Sequence, residues 1–175
     1  MNVIWIVADT FRQDHLGAYG NRDIHTPTLD ALAAQSARFD RHYAAGFPTM
    51  PARADHATGR WTHSFMQWEK LPDDEPTISK LLAEKGWHTA ACVDTPFYIR
   101  GGMNYDMGFQ TFFFHPGQEG SPTRVQKKGN HESRDVKEAL RYESDLNAPH
   151  TISTAMRWLE RHYKEDFFLY VDTWD

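Results

Sequence analysis

The sequence holds 175 residues, 40% hydrophobic and 14% aromatic, enough to bury one globular core and too apolar for a disordered tail. Its formal net charge of -5 and pI near 6.0 argue against a broad basic footprint, so neither nucleic acid nor an anionic membrane is expected as a partner. A single cysteine, Cys92, rules out an internal disulfide and makes a reduced, cytoplasmic setting the expectation.

The chain enters an apolar, β-branched run, Val3 to Val7, which has no basic region before it and no small-residue cleavage site after it. It is too short to span a bilayer and is expected to be a strand of a parallel sheet, covered on both faces and ending on Asp9. Thr26-Pro27 has the form of an N-cap with proline at the first helical position, and Leu29, Leu32, Ala33 and Ser36 continue a helical face. Pro76 is expected to open a second helix, with Ile78, Leu81 and Leu82 on one side and Gly86 as its stop. His88 to Val93 forms the next strand. Phe109 to Phe114 suits either a strand or an aromatic loop packed on the core.

Residues 115–147 turn polar and are expected to be mostly a surface excursion, with a possible helix between Ser133 and Tyr142. Pro149 begins the last helix, whose Ile152, Ala155, Met156 and Leu159 follow helical spacing. Phe167 to Val171 is a further buried strand, followed by Asp172. Strands alternating with helices predict an α/β fold, a mostly parallel sheet flanked by helices, whose ligands gather at the carboxyl ends of the strands. Asp9, Asp94 and Asp172 all fall there. Any one of them alone reads first as a turn residue or a helix cap, and it is their gathering at one edge that favours a site.

Two segments carry a family resemblance. One runs from Asn2 through Asp9-Thr10-Phe11-Arg12-Gln13-Asp14-His15 to Gly20; the other is Phe47-Pro48-Thr49-Met50-Pro51-Ala52-Arg53, with Thr58-Gly59-Arg60 after it. They resemble the opening strand and the nucleophile signature of sulfatases, in the alkaline-phosphatase superfamily. His25-Thr26-Pro27-Thr28-Leu29-Asp30 is similar to a helix start that the family places between them. The resemblance implies an alkaline-phosphatase/sulfatase-like catalytic domain of which residues 1–175 are the N-terminal portion, incomplete at the C-terminus and inactive alone. It implies a metal-dependent hydrolase of sulfate esters or of related phosphate or phosphonate esters, acting on a small anionic ester.

The resemblance assigns Asp9 as a metal ligand and Thr49 as both nucleophile and ligand, with Arg53 steadying it. Calcium is the metal it implies first, with manganese or zinc as alternatives. Each residue also has a chemical reading. Thr49 stands two before Pro51 in what should be a first helical turn, where free N–H groups favour an anion, and Arg53, one turn on, is expected to reach the same oxyanion with its planar fork as a second catalytic residue. The ordinary alternative is a plain helix start with Arg53 in a surface ion pair.

Three departures bear on chemistry. Thr49 stands where well-known members convert Cys or Ser to formylglycine, so no formylglycine is expected, and an esterified threonine must be hydrolysed at sulfur or phosphorus. Thr10 stands where many sulfatases carry a second metal-binding Asp. Val93-Asp94-Thr95-Pro96 replaces a segment whose Lys and His contact the sulfate, and resembles the phosphonate monoester hydrolase branch, in which Thr95 would touch substrate; a plain strand-end turn before Pro96 is the alternative. Two other functions therefore remain open: a phosphodiesterase or phosphonate monoester hydrolase, and a catalytically inactive binding module. Asp172 and Asp175 carry little weight as substitute ligands, because the resemblance places them before a substrate-binding loop.

Overall fold

The computed structural model describes residues 1–95, 102–117 and 142–174. The expected helix at Ser133 to Tyr142 and most of the polar excursion lie outside the described residues, as does Asp175. The chain divides into two compact units, Met1–Asp9 with Ala45–Asp175, and Thr10–Ala44.

The larger unit holds a four-stranded, all-parallel sheet: β1 (Asn2–Ala8), β2 (His88–Val93), β3 (Thr111–Phe114) and β4 (Phe167–Thr173), in the order β1-β4-β2-β3. Together with its helices this is the α/β architecture expected from the alternation of strands and helices. β3 resolves the choice at residues 109–114 as a strand, beginning two residues late, with Phe109 instead packing its ring 6.0 Å from that of Phe168.

Period-two alternation in the central strands sorts the core into two layers. Ala90, Cys92, Phe167, Leu169 and Val171 pack with Ala155 and Trp158 of the last helix. Ala91, Val93 and Tyr105 pack with Met50 and Ala54 on the opposite face. That arithmetic also fixes where β4 sends its polar groups. Phe168, Tyr170 and Asp172 alternate with the first layer and face the second. Cys92 is fully buried, and burial pushes its thiol up to about 12, the behaviour of a small inert core residue.

The edge strand departs from the expectation of cover on both faces: Ile4 and Ile6 are 49% and 60% exposed. Among the described residues β1 pairs only with β4, and one of its faces meets the core, where Trp5 lies 5.3 Å from His56 and 6.0 Å from Tyr170 between ring centres. A continuous apolar run cannot tell one covered face from two.

α2 (Thr49–Thr58) ends on Gly59 at φ +67°, and α3 (Ile78–Glu84) ends before Gly86 at φ +83°, both left-handed positions that glycine occupies without strain. Pro76 does not open α3. Thr77 is its cap, and the Thr77 hydroxyl accepts from the Lys80 amide at 3.3 Å. α4 (Asn147–His162) begins two residues before Pro149 and buries Thr151, Thr154, Ala155 and Trp158, while Met156 is 57% exposed. The buried stripe is centred on the tryptophan, the largest side chain to be covered, and Ile152 and Leu159 pack at its margin.

The smaller unit holds α1 (Pro27–Ala33) after two short 3-10 turns, Gln13–His15 and Gly17–Tyr19. Thr26 stands at the cap position, but its hydroxyl serves this unit's loop: it accepts from the Gly17 amide at 2.9 Å and donates to Asp30 at 3.1 Å. Ser36 lies beyond the helix and donates back to the Leu32 carbonyl at 2.7 Å. Among the described residues no helix is long and apolar enough to cross a membrane.

Candidate functional site

The site grows from the carboxyl edge of the sheet. Register places Asp172 on the central strand opposite Val7 of β1 and Val93 of β2, so the residues that follow those strands, Asp9 and Asp94, border it. The backbone seals this edge: the Asp9 amide donates to the Thr173 carbonyl at 2.9 Å and the Asp94 amide to the Asp172 carbonyl at 3.2 Å.

α2 meets this edge through Arg53. Arg53 Nη1 lies 2.7 Å from Asp9 Oδ2, and its Nε and Nη2 donate to Asp172 Oδ2 and Oδ1 at 3.0 and 2.7 Å. Arg53 is 6% exposed, Asp172 fully buried and Asp9 13% exposed. Two buried carboxylates around one guanidinium are tolerable because the planar fork meets one of them in bidentate fashion. The Tyr170 hydroxyl adds a bond to Asp172 Oδ2 at 3.0 Å. The surface ion pair considered for Arg53 is thus replaced by a buried bridge between two strands.

Thr49 is the first residue of α2 and partly buried. It precedes Arg53 by four residues, so the two share a helical face, with Arg53 leaning back toward the first turn. Pro51, within that turn, has no N–H to leave unsatisfied. The approach to Thr49 passes Gly46, where a Cβ would stand 2.7 Å from the Pro51 carbonyl and 2.8 Å from Asp55 Oδ2, so only glycine fits. Thr62, just past α2, anchors that same aspartate, its amide and hydroxyl donating to Asp55 Oδ1 at 2.7 and 2.6 Å.

The other two acids of the edge do different work. Asp94 is fully buried and accepts from the Thr151 hydroxyl at 2.8 Å and the Trp174 amide at 2.7 Å, which ties α4 to the end of β4. Thr95, the next residue, is fully buried, and its hydroxyl has no hydrogen-bond partner among the described residues. Thr10, directly after Asp9, takes φ +56°, a left-handed conformation that is an outlier for a β-branched residue.

The structure therefore brings Asp9 and Arg53 into contact and sets Thr49 one turn from Arg53. Asp172 and Tyr170 are the participants that sequence reasoning undervalued. Their signal was present in the alternation Phe168, Tyr170, Asp172, which gives all three one face of a central strand.

Asp9 and Thr49 offer a carboxylate and a hydroxyl, the hard oxygen donors that suit calcium or manganese. They are a partial set. Among the described residues, the one group of three acidic, histidine or cysteine side chains spaced to hold an ion lies elsewhere, at His88, His162 and Glu165.

Comparisons with known proteins bear on the family and the fold. The chain is 35% identical over 140 residues to human arylsulfatase D, covering 66% of this chain and 23% of that protein. It is 32% identical over 92 residues to the N-acetylglucosamine-6-O-sulfatase of Bacteroides thetaiotaomicron, covering 51% and 16% respectively. The crystal structure of the phosphonate monoester hydrolase of Agrobacterium radiobacter superimposes with a TM-score of 0.74 at 23% identity, over 98% of this chain and 40% of that one, which shows a shared fold. The chain thus spans less than a quarter of these curated relatives' length. The sulfatase family model matches residues 1–174, and with a bridged Asp9, Arg53 and Asp172 beneath a threonine-led helix, this chain belongs to the sulfatase family.

Proposed function

We propose that the protein to which this chain belongs hydrolyses sulfate esters or related phosphate or phosphonate esters, with Thr49 as the nucleophile. The observation that carries the proposal is the Arg53 bridge. It fixes the helix led by Thr49 against Asp9 and Asp172 at the edge where α/β sheets bind ligands.

Asp9 and Thr49 would hold the divalent cation, calcium before manganese or zinc, with further ligands from beyond the described residues. Such an ion, when bound, lowers the pKa of a hydroxyl and offsets charge on an ester oxygen. The chain's own residues supply the rest. The Thr49 oxygen attacks sulfur or phosphorus, the bond to the leaving oxygen breaks, the proton given up by Thr49 ends on the departing alcohol, and a threonine ester remains. Water then attacks the same sulfur or phosphorus, expels the Thr49 oxygen and regenerates the hydroxyl. Arg53, its fork turned to Asp172, acts as a positioning residue that orients Asp9 and the start of α2.

A preference for phosphorus esters has support of its own. Threonine cannot become formylglycine, so the route in which a hydrated aldehyde expels sulfate is closed to this chain. The buried Thr95 hydroxyl, which has no hydrogen-bond partner among the described residues, is the donor we assign to a substrate oxygen once the ester is bound.

The test uses the complete protein with matched aryl sulfate and aryl phosphonate esters. Thr49→Ala is expected to lower kcat by at least ~1,000-fold on the better substrate, while Thr49→Ser retains turnover. Mass spectrometry of quenched wild-type protein should find the sulfuryl or phosphoryl group on the peptide containing Thr49. Full activity in Thr49→Ala would sink the proposal. Failure of the wild-type protein to bind a divalent ion in calorimetry would leave the binding module as the better description.

A further inference from the structure

At the opposite edge of the sheet three side chains converge that the ester site does not use. His88 is the first residue of β2, His162 the last of α4, and Glu165 stands in the turn that leads into β4. Their donor atoms all lie within 4.8 Å of one another. His88 Nδ1 is 2.7 Å from Glu165 Oε2, and His162 Nδ1 is 3.2 Å from Glu165 Oε1. The strands that separate this cluster from Asp9 and Asp172 run six and seven residues, about 20 Å of extended chain.

Packing holds the two imidazoles in place. Trp158 stacks on His162 with ring centres 4.6 Å apart and meets His88 edge-on at 5.3 Å. The two histidine rings cross at 80° with centres 4.4 Å apart, and the His88 amide donates to the Asp166 carbonyl at 2.8 Å. Both histidines are three-quarters buried, whereas Glu165 is half exposed and free to pivot. The two histidine–glutamate separations, 2.7 and 3.2 Å, need to open by only some tenths of an ångström. That would reach the roughly 3.3 Å spacing implied by metal–donor distances of about 2.0–2.1 Å.

We propose that His88, His162 and Glu165 form a second divalent-metal site, selective for zinc over calcium or magnesium, in which the ion staples the end of α4 to the starts of β2 and β4. Two imidazoles and a carboxylate are the donor set of borderline transition metals, while calcium and magnesium want six or more oxygens. Three protein ligands leave a fourth position for water. Neither Asp9 nor Thr49 takes part, so this site stands independently of the ester chemistry.

The experiment titrates zinc chloride into the complete protein, prepared without a histidine tag and stripped with chelator, and follows it by calorimetry. Cobalt(II) absorption serves as a second readout of nitrogen ligation. One zinc equivalent is expected to persist in Asp9→Asn, to weaken by at least about tenfold in His162→Ala and in Glu165→Gln, and to be indifferent to excess calcium. Zinc should also raise the thermal midpoint of the wild type and of Asp9→Asn, but not of His162→Ala. Both His162 and Glu165 sit near the surface, so if one variant fails to fold the other decides. Identical zinc titrations for wild type and both variants, or no equivalent that survives Asp9→Asn, would show that the cluster is a hydrogen-bonded triad and nothing more.

Discussion

Arg53 grips Asp172 with both ends of its fork, Nε and Nη2 at 3.0 and 2.7 Å, in a place where neither side chain is more than 6% exposed. The pair joins residues 119 apart in sequence and couples the helix led by Thr49 to the central strand. Removing Arg53 leaves the buried Asp172 carboxylate and that of Asp9 without their cation, and removing Asp172 leaves the buried guanidinium with Asp9 as a remaining carboxylate among the described residues. Asp172→Ala or Arg53→Ala is therefore expected to destabilise the complete protein by about 3–5 kcal/mol in urea unfolding. Arg53→Lys keeps the charge and loses the fork, so it should recover only part of that stability and little of the turnover. Equal stability for Arg53→Ala and wild type would mean that the bridge does not hold the two elements together.

Much of this arrangement was legible in the sequence, and what was not has identifiable physical causes. The strands announced themselves because apolar runs bounded by acids leave few other assignments. Asp9 and Thr49 were singled out by a resemblance to the sulfatase opening strand and nucleophile signature, from which Thr49 itself departs. What stayed hidden was pairing: nothing local tells Arg53 which carboxylate it will meet, because Asp9 and Asp172 come from strands that lie side by side only once the sheet has formed. The same limit explains β1, whose Ile4 and Ile6 look buried by composition and are exposed by position. The His88, His162 and Glu165 cluster escaped for that reason too, since β2 must pair with β4 before those residues meet.

Thr95 offers a separation of stability from function. Its hydroxyl is buried and has no partner among the described residues, so the isosteric Thr95→Val removes a desolvated polar group and is expected to leave stability unchanged or raise it by about 1 kcal/mol. If that hydroxyl donates to substrate, the same variant should lose about tenfold or more in kcat/KM on aryl phosphonates. A variant that is stabilised and fully active would assign Thr95 to the fold alone.

His115 carries a pH signature. Burial lowers its pKa below the usual imidazole value, and the neighbouring His150 and Arg157 lower it further, with ring centres of the two histidines 4.4 Å apart. The unfolded chain therefore takes up this proton first as pH falls. The contribution of neutral His115 is complete above the ordinary histidine pKa of about 6.5 and is lost as pH drops through that value toward the lower folded one. Unfolding midpoints at about pH 7.5 and about pH 5.5 are expected to fall more for wild type than for His115→Gln. Parallel declines in the two proteins would place the acid sensitivity in other groups.

Thr10 carries backbone strain directly after Asp9, the residue proposed above as a metal ligand. At φ +56° a β-branched side chain costs on the order of 1–3 kcal/mol, whereas aspartate and asparagine visit that region several times more readily. The residue sits directly after Asp9, where many sulfatases carry a second metal-binding aspartate. Thr10→Asn should therefore raise stability by about 0.5–1 kcal/mol through backbone relief alone, below the full strain because the surroundings relax. Thr10→Asp should relieve the same strain and add a hard anionic ligand. Calorimetric titration with calcium is then expected to show tighter binding in Thr10→Asp than in Thr10→Asn, with the two close in thermal midpoint when no metal is present. If both variants bind calcium as the wild type does, the second carboxylate position lies outside this protein's ion site, and Thr10 marks strain without a ligand role.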